Sequence, residues 1–115
     1  MAEVKHVLVI FTESVPGQED EFNRWYNDLH IPDLLKIDGI EAVRRFEIAE
    51  MDPPQAATHR FLGIYELSRD PREVIDALVA TRETRAPNSP AYDAAKSVRF
   101  YYTAITDRLT PGDVS

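Results

Sequence analysis

The chain has 115 residues, the length of a single domain, and its 43% hydrophobic and 29% charged content is ordinary for a globular protein. Its 20 acidic residues against 13 basic ones give a net charge of −7, which argues against nucleic acid or an anionic membrane as a partner. The absence of cysteine excludes disulfides and thiolate nucleophiles, and the absence of a targeting pattern or a long apolar run predicts a cytoplasmic protein.

The first part of the chain predicts a strand followed by an interrupted helix. The run Val4–Thr12 is β-branched and aromatic throughout, which is typical of a central strand buried on both faces. A helix then begins near Gln18, because apolar side chains recur with helical spacing at Phe22, Trp25, Tyr26 and Leu29. Pro32 lacks a backbone donor, so we expect this helix to stop or kink near His30 and a short second helix to run from Pro32 to Lys36.

The rest of the chain predicts three more strands and one more helix. The strands cover Ile40–Ala49, His59–Leu67 and Val98–Thr106. Gly63, inside the middle one, indicates a bulge or a close approach. The helix starts after Asp70, which can cap it, with proline at the first helical position and Glu73 placed to complete a capping box.

The resulting order, β-α-β-β-α-β, predicts an α+β ferredoxin-like fold in which two helices cover one face of a four-stranded antiparallel sheet. We expect one domain over residues 1–110 and a loose tail over 111–115. The strands are apolar on both faces, although the helices can cover only one of them. A second copy of the sheet is the simplest cover, so we predict a homodimer that packs sheet face to sheet face.

One stretch, EFNRWYNDLHIPDLLKIDGIEAVRRF, resembles the EthD-like branch of the dimeric α/β-barrel superfamily. The resemblance is carried by Tyr26, by the His-x-Pro of His30 and Pro32, by the Asp38-Gly39 turn, and by the arginines before Phe46. Asp38 departs from the proline common in that turn. The resemblance implies the dimeric α/β-barrel fold over nearly the whole chain. Its members resemble monooxygenases, isomerases, cyclases, dehydratases and haem-handling proteins, so it does not select one function.

Three residues are candidates for catalysis: His30, Tyr26 and Arg44. His30 titrates near neutral pH and could move a proton, or it could bond a carbonyl freed by Pro32. The resemblance places the histidine of His-x-Pro at a pocket. Strand alternation places Arg44 on the same face as Ile40, where it is the one charge on an otherwise apolar face. It could hold a planar oxyanion, or pair with Glu66, Glu13 or Asp28.

Four further residues are candidates for substrate binding: Trp25, Asn27, Tyr65 and Tyr102. Trp25 and Tyr26 are either core residues on the inner face of the helix or hydrogen-bond donors that face a ligand. Asn27 is equally consistent with a solvated surface. Strand alternation favours Tyr65 and Tyr102, rather than Tyr101, as the tyrosines that face the helices or a pocket.

The sequence predicts no metal site, because its three histidines are far apart and no metal-binding spacing occurs. No cofactor is expected, and no glycine-rich phosphate loop is present. The leading hypothesis is a small cofactor-independent lyase, isomerase, cyclase or monooxygenase acting on an aromatic or enolisable organic molecule. The alternatives are a non-catalytic dimer of the same fold that binds a small molecule or haem, and a structural dimer with no ligand.

Overall fold

A computed structural model describes residues 3–114 and contains one four-stranded antiparallel sheet. The strand order is β2-β3-β1-β4, with β1 and β3 in the centre. The strands are β1 (His6–Thr12), β2 (Ile40–Glu47), β3 (Phe61–Leu67) and β4 (Val98–Thr103). Val4 and Lys5 precede the first strand rather than join it.

The helices lie on one face of this sheet and confirm the predicted α+β ferredoxin-like fold. They are α1 (Glu19–Trp25), a π-helical segment (Tyr26–His30), α2 (Ile31–Leu34) and α3 (Pro71–Ala80). Asp70 caps α3 by accepting from the Arg72 backbone N–H at 2.9 Å, and the glutamate half of the predicted capping box is not formed. The predicted tail contains a short 3₁₀ helix, Pro111–Asp113, and Ser115 lies outside the described residues.

The core fills the space between the helices and the sheet face that they cover. Phe22, Leu67 and Val74 are completely enclosed in it. The central strands contribute alternate side chains to this face, Leu8 and Ile10 from β1 and Tyr65 from β3, as the two-residue period of a strand requires. Phe22 of α1 packs on Phe61 of β3, with ring centroids 5.5 Å apart, and Tyr26, which follows α1, hydrogen-bonds to Tyr65 of β3.

Strand β2 contains an irregularity that changes which of its residues face the helices. Ile40 pairs with Leu67 but Ala42 pairs with the next residue of β3, so β2 has one extra residue at this point. After the bulge the alternation is reversed. The predicted face that joined Ile40 to Arg44 is therefore wrong, because Arg45 shares the helix side with Ile40, whereas Arg44 lies on the opposite face.

The second sheet face has no cover within the described chain. It carries exposed large apolar side chains, with Phe46 38%, Val98 39%, Phe100 48% and Tyr102 56% exposed. The predicted dimer would cover this face, and it stays a prediction. None of the helices within residues 3–114 combines the length and apolar content that a bilayer crossing requires.

Candidate functional site

A cavity of about 670 Å³ lies between the covered sheet face and the helices. Its floor is apolar and includes Leu8, Ile10, Leu34 and Leu78. Its polar lining comes from distant parts of the chain: Tyr26, His30, Tyr65, Arg82, Glu83, Arg85, Asn88, Tyr92 and Arg99. Its size and mixed lining are those of a small-molecule site.

The π-helical segment Tyr26–His30 carries two of these side chains into the cavity wall. Its wide turn closes with a bond from the Ile31 backbone N–H to the Tyr26 carbonyl, five residues back. Pro32 explains the widening, because it has no N–H for the Asp28 carbonyl and its ring would clash with that carbonyl in a regular helix. Of the two predicted outcomes near His30, a stop or a kink, the helix does not stop: it widens there and continues into α2. Such turns occur frequently at functional sites.

The His30 ring is held by aromatic packing. Its ring stacks on Trp25 with centroids 4.8 Å apart and meets Tyr26 edge-on at 5.0 Å. Within residues 3–114, no protein group hydrogen-bonds to the His30 ring nitrogens. The alternative that His30 bonds a freed backbone carbonyl is therefore not observed, and its nitrogens are available to a ligand.

Burial, and secondly the positive charge of Arg85, lower the pKa of His30 from 6.5 to about 4. Arg99 and Arg45 act in the same direction, while Asp33 opposes them. The imidazole is thus neutral at pH 7. A neutral imidazole can accept a proton, and an anion bound beside these arginines would raise its proton affinity.

This lowered pKa makes stability depend on pH in a defined direction. The unfolded chain binds the histidine proton near pH 6.5 but the folded chain binds it only near pH 4. The free energy of unfolding should therefore fall as pH drops from 6.5 to 4, with His30 contributing about 3 kcal/mol of the loss. Urea unfolding of the native protein and His30→Gln at pH 7 and pH 4.5 measures this, and equal losses in both proteins would contradict it.

Two buried hydroxyls, those of Tyr26 and Tyr65, hydrogen-bond to each other in the cavity wall. Burial raises the pKa of Tyr26 and raises the pKa of Tyr65 more strongly, so both hydroxyls stay protonated at neutral pH. The two hydroxyls carry one hydrogen each, and the hydrogen bond between them uses one of the two. The other is available to an oxygen of a bound molecule.

Arg45 fixes the outer side of this tyrosine pair. Its guanidinium lies 4.1 Å from the Tyr26 ring centroid and donates to the side-chain oxygens of Asn23 and Asn27, each at 2.9 Å. Asn27, a predicted substrate-binding residue, is exposed, lies outside the cavity lining and serves as one of these anchors.

Gly63 provides the space that the tyrosine pair occupies. A Cβ at this position would lie 3.0 Å from the Tyr65 ring and 3.2 Å from Ile10, so the predicted close approach is present and no bulge occurs here. We expect Gly63→Ala to lower the free energy of unfolding by about 1–3 kcal/mol, because Tyr65 must move. Gly112→Ala, where a Cβ meets nothing closer than 3.9 Å, is the control. Equal urea midpoints for the two variants would contradict this.

The segment after α3 closes the cavity on one side and is tied to the helices that flank His30. The Trp25 indole N–H donates to the Pro87 carbonyl at 3.1 Å, and the Ala86 N–H donates to the Asp33 carboxylate at 2.8 Å. Trp25, predicted to bind substrate, is buried behind His30 and does not line the cavity. It therefore supports the wall rather than forming its surface.

Two predicted site residues lie on the wrong side of the sheet for this cavity. Arg44 is exposed on the open face and lies 5.2 Å from the Phe46 ring, with none of the predicted acidic partners. Tyr102 pairs with Val7 on the same open face, whereas Tyr101 pairs with Leu8 on the helix side. None of the three arginines that line the cavity, Arg82, Arg85 and Arg99, was predicted. Tyr26, His30 and Tyr65 do meet in it, and their roles stay predictions.

No metal-binding group of three or more His, Cys, Asp or Glu side chains is found in the part of the chain that is described. His59 is fully engaged, with one ring nitrogen bonded to the Lys96 carbonyl at 2.7 Å and the other to Thr58 at 2.9 Å.

Comparison with known proteins gives matches in structure and not in sequence. Neither a protein-family model nor a curated protein matches the chain. An EthD family protein from Bacillus halodurans C-125 matches with a TM-score of 0.55 and 11% identity over 87% of this chain and 99% of its own. PA3566 from Pseudomonas aeruginosa matches with a TM-score of 0.60 and 13% identity over 92% of this chain and 99% of its own.

A protein from Shewanella loihica PV-4, provisionally described as a monooxygenase, gives a TM-score of 0.58 and 13% identity over 91% of this chain and 99% of its own. At these identities the matches establish a shared fold. They are consistent with the EthD-like resemblance in the sequence, and they do not identify a reaction.

Proposed function

We propose that this protein is a cofactor-independent enzyme that transfers a proton on an enolisable or aromatic organic molecule, with His30 as the general base and acid. The observation that carries the proposal is the His30 ring, which is neutral, has no hydrogen bond to residues 3–114 and lines the same cavity as two protonated tyrosines. The fold of this chain is similar to that of an EthD family protein and of a protein provisionally described as a monooxygenase. This similarity supports an enzymatic role without naming the reaction.

The proposed step is enolisation. A ring nitrogen of His30 takes a proton from the carbon beside the carbonyl, the C–H electron pair forms a new C=C bond, and the carbonyl π pair moves onto the oxygen to give an enolate. The tyrosine pair donates the hydrogen bond that stabilises the developing oxyanion, and the arginines of the cavity add positive charge. Return of the proton to a different carbon completes an isomerisation, and loss of a leaving group completes a lyase reaction.

Phenylpyruvate is a suitable probe, because it is aromatic, enolisable and anionic at pH 7. We expect the protein to accelerate exchange of its C3 hydrogens in deuterium oxide above the buffer rate, followed by proton NMR. An exchange rate equal to that of buffer, for phenylpyruvate and for a panel of aromatic ketones, would contradict the proposal. Ligand binding without exchange would instead favour the non-catalytic alternative.

We also propose that the working unit is a homodimer in which the open sheet faces meet. The open face presents Phe46, Val98, Phe100 and Tyr102. The radius of gyration, 15.8 Å, exceeds the value of about 13 Å for a compact chain of this size. In the segment after β4, residues 104–114, Ile105 is 97% and Leu109 59% exposed. Apolar side chains on this segment and on the open sheet face support cover by a second chain.

A further inference from the structure

Three arginines surround the cavity without acidic partners. Arg82, Arg85 and Arg99 line it, and none lies within ion-pair distance of a carboxylate of residues 3–114. By contrast, six of the basic residues outside the cavity form ion pairs: Lys5, Arg24, Lys36, Arg60, Arg69 and Lys96. Glu83 is the only acid in the lining. A chain of net charge −7 thus has a cavity with an excess of positive charge.

Arg85 is positioned by neutral groups, so its charge is not neutralised. Its Nη2 donates to the Leu78 carbonyl at 2.8 Å, and its Nε donates to the Thr81 hydroxyl at 3.2 Å. These bonds hold the half-buried guanidinium at the end of α3, and Nη1 has no acceptor among residues 3–114. A fixed guanidinium with free donors is suited to a planar carboxylate or enolate.

Arg99 reaches the same cavity from the sheet. It pairs with Ile10 on the helix side of β4, and no hydrogen bond from its side chain to residues 3–114 is found. Leu8, Ile10, Leu34 and Leu78 line the same cavity. Its lining therefore combines two arginines that act on His30 with apolar side chains.

We infer that the ligand of this cavity is a planar organic anion, a carboxylate or enolate on an aromatic body, whose charged end lies against Arg85 and Arg99. The aromatic body would occupy the apolar floor, and the reacting atom would lie beside His30. This inference names the substrate class for the proposed function and rests on it.

The test uses two probes of equal shape, the anion 1-hydroxy-2-naphthoate and the neutral 1-hydroxy-2-naphthamide, in isothermal titration of the full chain. We expect the naphthoate to bind at least tenfold more tightly than the naphthamide. Arg85→Gln and Arg99→Gln should each weaken naphthoate binding about tenfold and leave naphthamide binding nearly unchanged. Arg72→Gln makes the same charge change at an exposed position outside the cavity and serves as the control.

Equal affinity for both probes, or naphthoate binding that weakens as much in Arg72→Gln as in the cavity variants, would overturn the inference. Selective naphthoate binding by a protein that exchanges no substrate hydrogen would uphold the anion site and reject the catalytic proposal. Exchange of neutral ketones together with equal binding of both probes would reject the anion site alone. Thermal unfolding of each variant checks that loss of binding is not loss of fold.

Discussion

Replacement of His30 by glutamine is expected to lower the proposed protein-dependent hydrogen exchange of phenylpyruvate by about 10²–10⁴-fold, the usual contribution of a positioned acid or base. Glutamine keeps a polar side chain of comparable length beside Trp25 but cannot accept and return the proton. Binding of 1-hydroxy-2-naphthoate should change far less, because the proposed anion contacts are made by arginines. Exchange measured by NMR and affinity measured by titration separate the two effects.

His59→Gln is the matched control, because both ring nitrogens of His59 are already bonded to Thr58 and Lys96 and it lies outside the cavity lining. It should exchange phenylpyruvate as the native protein does. A His30→Gln protein that retains its fold and its full exchange rate would remove this histidine from the mechanism. Equal losses in both histidine variants would indicate a general loss of structure.

Phe100→Asp is expected to convert the proposed dimer to monomers, with a weakening of self-association of about 10³-fold or more. Phe100 is 48% exposed and lies on the open sheet face, where it pairs with Val9 of β1. In the proposed dimer the substitution removes two aromatic side chains and buries two unpaired carboxylates, each of which costs several kcal/mol. Light scattering coupled to size exclusion, over a range of protein concentrations, measures the change in mass.

Val79→Asp provides the comparison, since Val79 is 57% exposed on α3 and lies away from the open sheet face. This variant should keep the mass of the native protein. A native protein that is monomeric at all concentrations, or a Phe100→Asp protein of unchanged mass, would contradict the proposed dimer.

The element order and the residues that meet in the cavity could be predicted because strong local signals specify them. Continuous β-branched runs give the strands, and the helical spacing of Phe22, Trp25 and Tyr26 gives the face that packs on the sheet. Pro32 indicates that the helix changes near His30. Tyr65 follows from strand alternation, because β3 is regular throughout.

The mistaken positions each have a physical cause. One extra residue in β2 reverses its alternation, so Arg45 takes the side that the sequence assigned to Arg44. In β4 the register with β1 decides the sides: Phe100 pairs with Val9 and Tyr102 with Val7, so both lie on the open face. Because that face is itself apolar, apolar character does not mark the helix side of β4. Arg85 and Arg99 belong to segments with no motif, and only the folded chain brings them beside His30.

The most direct measurement is an NMR titration of the His30 imidazole, in the free protein and in the presence of saturating 1-hydroxy-2-naphthoate. We expect a pKa of about 4 for His30 in the free protein and a higher pKa in the complex, because the bound anion offsets the charge of the arginines. A pKa of His30 near 6.5 that is unchanged by the naphthoate would show an imidazole in ordinary solvent and would contradict the proposed site.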